Sequence, residues 1–526
     1  MPSHRIGIEE NGASRRVNAT QTEIETGKNR MQLGELLAGV PTCHGAAALG
    51  PLSSYEISAV AYDSRKVAPG SLFVAIRGEQ ADGNRFVADA LARGAAVVVS
   101  EEPMPTGLPT GEVWIRVEEP RKSLAHIAAN FYGRPAEALE LVGITGTNGK
   151  TTTSFLMDSI LRAAGHSTGL FGTIVYRTPK SEGPAKHTTP ESLELQKFFA
   201  QVRFEGGTHV TMEASSHALA LDRVWGCRFA AAIFTNLTRD HLDFHKTMEA
   251  YGAAKRRLFQ GTGAGAPRVG VVNRDDPWAQ HLSGLAERTL TYGLGAGADV
   301  TTKRFALSFT GLEFTAQTPE GKLEIASPLV GKINVYNILA AAAAAVGMGV
   351  PREAIERGIR ECSRVPGRFE RVNCGQPFLV IVDYAHTDDA LRNLLETARE
   401  LNKSGRIITL FGCGGERDRT KRPLMGEAAG TLSDLVVLSS DNPRGEDPLN
   451  IINDALVGLQ RTGVEYVVEP DRSRAVRMAI ERAREGDIVL LAGKGHETYQ
   501  VLRDKTLAYD DREEARQALR ELGHRE

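Results

Sequence analysis

The 526-residue chain has only five cysteines: Cys43, Cys227, Cys362, Cys374 and Cys413. They are odd in number, scattered and free of any C-x-x-C pair. That excludes a disulfide framework, gives no sign of a structural zinc site, and fits a reducing cytoplasm. Charge of one sign is also missing. With 63 basic and 65 acidic residues the formal charge is -2, so no polyanion-binding surface is indicated and nucleic acid is not an expected partner. No apolar run reaches the roughly 18 residues of a membrane span. The nearest, "ILAAAAAAVGMGV" from Ile338, is short and broken by glycines, and it reads as a closely packed internal helix. Membrane insertion is not expected. Residues 1–30 lack both the apolar core of a secretory signal and any hydrophobic period, so a disordered extension is expected there. Globular patterning begins at Met31, which could itself be the true start. No internal repeat is visible.

What remains is ordinary globular composition, 41% hydrophobic and 24% charged, in a chain too long for one core. The patterning predicts an α/β protein of three domains. Residues 31–135 read as a small α/β unit, with strands at "SLFVAI" and "AAVVVS" around a helical "GNRFVADALARG". Residues 136–363 alternate strands with helices, which implies a mostly parallel central sheet. Residues 364–526 repeat that alternation as a Rossmann-like unit. There "GCGG" at Gly412 suggests a dinucleotide fingerprint, but position 417 is arginine where the third glycine belongs.

The strongest motif is "VGITGTNGKTTT", Val142 to Thr153. A strict P-loop would place a glycine at 144, where this chain has isoleucine. Glycines at 146 and 149 still let backbone amides approach an anion, and the helix that follows adds its positive end. Lys150 would reach outer phosphates and the Thr151 hydroxyl could ligate Mg²⁺. The bland alternative is a tight glycine turn. Glu213 closes the strand "HVTMEAS", where a carboxylate suits Mg²⁺ or simply faces solvent. Asp240, His241, Asp243 and His245 follow the next strand in "NLTRDHLDFH". The H-x-x-x-H spacing admits zinc, but Leu242 breaks the metalloprotease pattern, so His241 is read as a neighbour of magnesium and phosphate.

These stretches, with "MEASSHAL", "AYGAAKRRLF", "GKINVYNILAA", "VPGRFE", "DYAHTDDAL", "GCGGERD", "DNPR" and "GKGHE", occur in the order found in the Mur ligase family. The resemblance runs from about Tyr62 onward. It implies an ATP- and Mg²⁺-dependent amide ligase of peptidoglycan precursor synthesis, working through an acyl phosphate in the bacterial cytoplasm as a monomer. Its small-molecule substrates would be ATP, UDP-MurNAc-L-Ala-D-Glu and meso-diaminopimelate. By position, Gly146, Thr147, Asn148, Gly149, Lys150, Thr151 and Thr152 would hold the ATP phosphates. Asn337 would meet adenine, Asp383 the ribose and Arg368 a phosphate. Lys150, Glu213, His241 and Lys255 would be catalytic, with Thr151, Glu213, His241 and a carbamylated Lys255 around the metal. Without the resemblance Lys255 reads as an exposed helix lysine, as do Arg256 and Arg257.

Tyr62, Ser64, Thr188, Thr189, Ser215 and Arg223 would bind the UDP substrate. Glu79, His187 and Leu221 depart from the residues common in the family, which leaves those three contacts open. Arg417, Asp441, Asn442, Pro443, Arg444, Gly493 and Glu497 would bind diaminopimelate, with Arg444 suited to the distal carboxylate that lysine lacks. Taken alone, "DNPR" reads as a plain turn, since Asn-Pro favours one. Lysine addition, a folylpolyglutamate synthetase, a P-loop ATPase or kinase without an amide product, and a catalytically silent nucleotide-sugar binder, against which the intact Lys150, Glu213 and Lys255 argue, are the rival readings.

Overall fold

The computed structural model describes residues 30–43, 46–78, 81–106 and 113–525. The expected disordered extension and Glu79 lie outside them. Three sheets organise the chain. The first is four parallel strands in sequence order, β1 (Ala59–Ala61), β2 (Ser71–Val74), β3 (Ala95–Ser100) and β4 (Val113–Arg116), followed by helix α1 (Pro120–Phe131). Pro120 at the first helical position costs α1 nothing, since that amide would lack an intrahelical partner anyway.

The central sheet has twelve strands. Its parallel part contains β5 (Glu140–Thr145), β6 (Thr168–Phe171), β7 (His209–Glu213), β8 (Phe229–Phe234), β9 (Val269–Asn273), β10 (Arg288–Gly293) and β11 (Val300–Thr301), ordered β6-β7-β5-β8-β9-β10-β11. Helices α2 (Lys150–Ala163), α3 (Ser192–Phe204), α4 (Met248–Gln260) and α5 (Lys332–Gly347) cover its faces. Strand β8 is buried along its whole length, as continuous apolar runs in parallel sheets require. The alanine-rich α5 packs six successive buried alanines, 340–345, against the strands. After β5 the chain moves two places to one side, and β8 later joins on the other. This reversal opens a crevice at the carboxyl end of β5.

The expectation of a mostly parallel sheet omits its antiparallel margin. β12 (Gly311–Thr318) and β13 (Gly321–Ser327) form a hairpin beyond β11, and two short strands, Val175–Arg177 and Glu182–Pro184, extend the other edge. The hairpin has the alternating exposure of a half-solvated strand rather than an apolar run.

The third sheet, ordered β14-β15-β19-β16-β17-β18, comprises β14 (Glu370–Val372), β15 (Leu379–Asp383), β16 (Ile407–Cys413), β17 (Leu435–Ser440), β18 (Glu465–Val468) and β19 (Ile488–Ala492). Only β14 is antiparallel. Its helices are α6 (Asp388–Leu401), α7 (Lys421–Leu432), α8 (Pro448–Leu459), α9 (Arg472–Glu481) and α10 (Asp511–Glu521). Helix α7 starts at Lys421, well after β16 ends, so "GCGG" does not open a helix as a dinucleotide fingerprint would. Among the described residues no helix is long and apolar enough to cross a membrane.

Candidate active site

Strand β5 delivers the glycine loop into the crevice, and α2 leaves from it. Gly146 (φ 150°) and Gly149 (φ 87°) adopt backbone that side chains disfavour. Contact reinforces the requirement: a Cβ at Gly146 would lie 1.8 Å from Thr235 Oγ1, and one at Gly149 2.4 Å from Asn337 Oδ1. Thr235 and Asn236, just past β8, hold the loop. The Thr147 and Asn148 amides donate to Asn236 O and Oδ1, both at 2.9 Å, and Thr235 Oγ1 donates to Asn148 O at 2.6 Å. Lys150 Nζ folds back onto Gly146 O (3.0 Å) and Thr147 O (2.9 Å). The missing glycine at 144 is explained by the same geometry, because Ile144 is still inside β5 and fully buried.

A cavity of about 250 Å³ opens over this loop. Thr147 to Thr152 form one wall, and Asn337, Arg368 and Asp383 lie around it. Gly146 sits behind the wall, its carbonyl taken by two lysines. The Arg368 guanidinium stands 4.6 Å from the Tyr384 ring centre and donates to Thr151 Oγ1 at 3.3 Å. Asp383 accepts backbone amides from Phe369 (2.7 Å) and Ala385 (2.8 Å), which fixes the carboxylate at the cavity edge.

Glu213 ends β7 beside the loop, 1% exposed, so the solvent-facing alternative fails. Thr151 Oγ1 (3.0 Å) and the Thr173 amide (2.8 Å) donate to its Oε1, and Thr173 Oγ1 (3.0 Å) donates to Oε2. Gly172 permits this approach, since a Cβ there would stand 2.4 Å from Oε1. Lys255 is not an exposed helix lysine. It is 1% exposed, donates to Gly146 O at 2.8 Å, lies 4.2 Å from the Tyr251 ring centre and forms no ion pair with a described residue. Burial, with Lys150 nearby, holds its amine well below the ordinary lysine value. Arg257 is also no free solvated charge, because it is half-buried and pairs with Asp222.

His241 adopts φ 55° and faces the same cavity. Burial keeps its imidazole well below the ordinary value and therefore neutral at pH 7. Burial opposes ionisation of the adjoining Asp240. The Lys421 ammonium at 3.7 Å, with His241 and His386, outweighs that and keeps the carboxyl below its usual range. The His217 ring is 4.8 Å from His241 and 5.5 Å from His245, yet among the described residues no three His, Cys, Asp or Glu side chains could hold a metal ion. Magnesium is bound through one or two protein groups together with substrate phosphates. A hydroxyl (Thr151), a carboxylate (Glu213) and a neutral imidazole (His241) are the donors at hand.

A second cavity, of about 1310 Å³, extends from His241 toward the first sheet and is lined by Tyr62, Ser64, His187, Leu221, Arg223 and Arg417 among others. Arg223 Nε and Arg121 Nη1 both donate to Glu191 Oε1, at 2.9 and 3.0 Å, and the Tyr62 hydroxyl donates to Glu194. The other expected substrate contacts lie elsewhere. Thr188 and Ser215 face the nucleotide cavity. Thr189 lines neither cavity: its hydroxyl donates to Glu213 O at 2.7 Å and accepts the Ser215 amide, so it braces the strand end.

The "DNPR" residues and "GKGHE" meet beside Arg417, at the ends of β17 and β19. Asn442 Nδ2 donates to Glu497 Oε2 at 2.9 Å, and a Cβ at Gly493 would lie 3.0 Å from Asp441 Oδ2. Arg444 (φ 52°) donates to Gly415 O at 2.7 Å, while Arg417 donates to Glu416 O. Neither makes an ion pair with a described residue; burial first, then the neighbouring Arg417, moves Arg444 below the ordinary arginine value, while Asp441 and Glu497 act the other way. Two neighbouring guanidiniums present donors that suit a carboxylate. The residue that the sequence reading missed here is Lys494, fully buried, which donates to Asn442 Oδ1 (3.0 Å), Glu497 Oε2 (3.0 Å) and Tyr499 O (2.8 Å). It sits inside "GKGHE", where the periodicity of a strand end gave no reason to single it out. Thr173 and Glu191 carried no motif signal at all.

The chain matches the Mur ligase middle domain over residues 144–345, the Mur ligase, glutamate ligase domain over 367–495, and the Mur ligase family, catalytic domain over 56–132. It is 57% identical over 496 residues to the UDP-N-acetylmuramoyl-L-alanyl-D-glutamate–2,6-diaminopimelate ligase of Solibacter usitatus, covering 94% of this chain and 99% of that one. The enzyme of the same name from Geobacillus kaustophilus is 46% identical, covering 89% and 96%. A solved structure of a ligase of that name superposes with a TM-score of 0.64 at 33% identity, over 94% of this chain and all of the other. With three family domains in sequence and relatives matched almost end to end, the chain belongs to the Mur ligase family.

Proposed function

We infer that the protein is an ATP-dependent amide ligase that joins meso-2,6-diaminopimelate to UDP-N-acetylmuramoyl-L-alanyl-D-glutamate in peptidoglycan precursor synthesis. One observation carries this reading most directly. His241 lines both the nucleotide cavity and the larger cleft, so a phosphate donor and a long acceptor meet at one point. There the D-Glu side-chain carboxylate takes the γ-phosphoryl group of ATP, becoming an acyl phosphate. The amine of diaminopimelate attacks the carbonyl carbon, the tetrahedral intermediate collapses, and phosphate leaves. A carboxylate is a poor electrophile until its oxygen is made a good leaving group, and catalysis is mostly positioning and charge neutralisation.

Placement around the two cavities supports a role for each residue. The loop amides and Lys150 hold phosphate oxygens at the start of α2. Thr151, Glu213 and His241 are placed to hold magnesium, which when bound would neutralise the charge on the transferring group. Lys255, whose buried amine is held well below the ordinary lysine value, can add carbon dioxide in its neutral form: the nitrogen lone pair forms a C–N bond, one N–H proton leaves, and the neutral amine becomes an anionic oxygen donor. Residues 31–135 and the large cleft would take the nucleotide sugar, 136–363 the ATP and 364–526 the amino acid. Arg417 and Arg444 suit the distal carboxylate, and the Glu497 carboxylate its ammonium. The same reading makes the protein a cytoplasmic monomer that acts on small molecules.

The test is phosphate release with ATP and UDP-MurNAc-L-Ala-D-Glu, adding meso-diaminopimelate or L-lysine separately. Turnover is expected with diaminopimelate. Turnover with lysine alone would overturn the assignment of the arginine pair, and turnover without any amino acid would overturn the ligase.

A further inference from the structure

The amino-acid site is assembled from the ends of two strands that are not neighbours in the sheet. β17 supplies Asp441 and Asn442, β19 supplies Gly493 to Glu497, and β16 lies between them in the sheet. Asn442, Lys494 and Glu497 bond directly across that gap, and a further tie at the strand ends themselves has to cross β16. Arg472, the first residue of α9, does so. Its side chain is fully buried; Nη1 donates to Ser440 O at 3.1 Å and Nη2 to Ala492 O at 3.0 Å. Those carbonyls are the last of β17 and of β19, each one residue before the site begins. The same guanidinium is gripped from behind by Asp511, at the start of α10, through Nε–Oδ1 (2.9 Å) and Nη2–Oδ2 (2.7 Å). The Tyr509 hydroxyl adds a third bond to Oδ1 at 2.8 Å. A planar five-donor fork can satisfy two carbonyls and a carboxylate together, whereas a lysine ammonium has three donors and no fixed plane.

We propose that Arg472, locked by Asp511, is the positioning residue that sets the separation of the two strand ends binding the incoming amino acid. It touches no substrate. It acts through Asp441 and Gly493, the pair already so close that a methyl group between them would be crowded. None of these residues lines the nucleotide cavity, so the larger effect is expected on the amino-acid substrate.

The inference rests on the amino-acid-site reading above. Full-length wild type, Arg472→Lys and Asp511→Asn would be compared by thermal melting and by steady-state kinetics in each substrate. The KM for meso-diaminopimelate is expected to rise roughly tenfold or more in Arg472→Lys and less in Asp511→Asn, with the KM for ATP within about twofold of wild type, the scale of a lost charged hydrogen bond in one site only. Unchanged diaminopimelate KM in folded variants, or equal loss for all substrates, overturns the positioning role. Failure of both variants to fold also overturns it, leaving a structural pair. Wild-type enzyme that cannot use diaminopimelate would instead overturn the reading of the site itself.

Discussion

The Asn148 side-chain amide donates to Asp389 Oδ2 at 2.7 Å, joining the nucleotide loop to the first turn of α6 in the third sheet unit. The loop is thus shaped partly from across the nucleotide cavity. Asp389→Ala removes a hydrogen bond to a charged acceptor worth about 1.5–3 kcal/mol. The KM for ATP is expected to rise about tenfold while the diaminopimelate KM stays near wild type. Titrating each substrate in the variant checks this, and an unchanged ATP KM would show that the bond does not shape the loop.

Gly172 is needed because Glu213 lies against it. Its φ is not in the left-handed region, so Gly172→Ala should fold, but the new methyl group must displace the carboxylate. A displacement of about 1 Å at a reacting site can cost on the order of 100-fold. That loss should appear in kcat, with melting temperature little changed. Activity close to wild type would mean the position of Glu213 is not critical.

Gly414 makes the corresponding test at the arginine pair. A Cβ there would stand 3.1 Å from Arg444 Nη1 and 3.8 Å from Arg417 Cγ. Gly414→Ala is expected to raise the diaminopimelate KM roughly fivefold or more with ATP unaffected, since Arg444 must give way. Arg444→Ala should do the same more severely. Parallel losses for ATP would place the arginine elsewhere in the mechanism.

Lys255 predicts a spectroscopic signature. In protein equilibrated with ¹³C-bicarbonate, a carbamate carbonyl resonance should appear and be lost in Lys255→Ala, together with activity. A spectrum identical in both proteins would leave Lys255 an unmodified amine.

His209 offers a pH test of stability remote from the active site. Burial, with the His166 ring 4.0 Å away, pushes its imidazole down to about 4. The unfolded chain takes up that proton near pH 6.5. The stabilisation is therefore complete above about 6.5 and is lost as pH falls through 4. Melting temperature should drop over that window less steeply in His209→Gln than in wild type. Parallel curves would show that His209 does not contribute.

Much of this was legible in the sequence because the chemistry clusters at strand ends. The glycine loop, Glu213, His241, "DNPR" and "GKGHE" each follow an apolar run, and parallel sheets gather such ends. Lys255 was legible only through family resemblance, because helical periodicity alone cannot tell a buried lysine from a solvated one. Thr173, Glu191 and Lys494 were not legible. They act by bonding side chains 40, 32 and 52 residues away, and no local pattern encodes such pairing. Thr189 was expected at the substrate for its hydroxyl, but the strand end of Glu213 claims it. The antiparallel margin of the central sheet was overlooked because its alternation lies between two strongly apolar stretches.

The central claim is that an acyl phosphate links the ATP cavity to amide formation. The direct measurement uses UDP-MurNAc-L-Ala-D-Glu carrying ¹⁸O in the D-Glu side-chain carboxylate, with ATP and meso-diaminopimelate, and mass analysis of the released phosphate. One ¹⁸O is expected in the released phosphate for each amide formed. Unlabelled phosphate accompanying amide formation would contradict it.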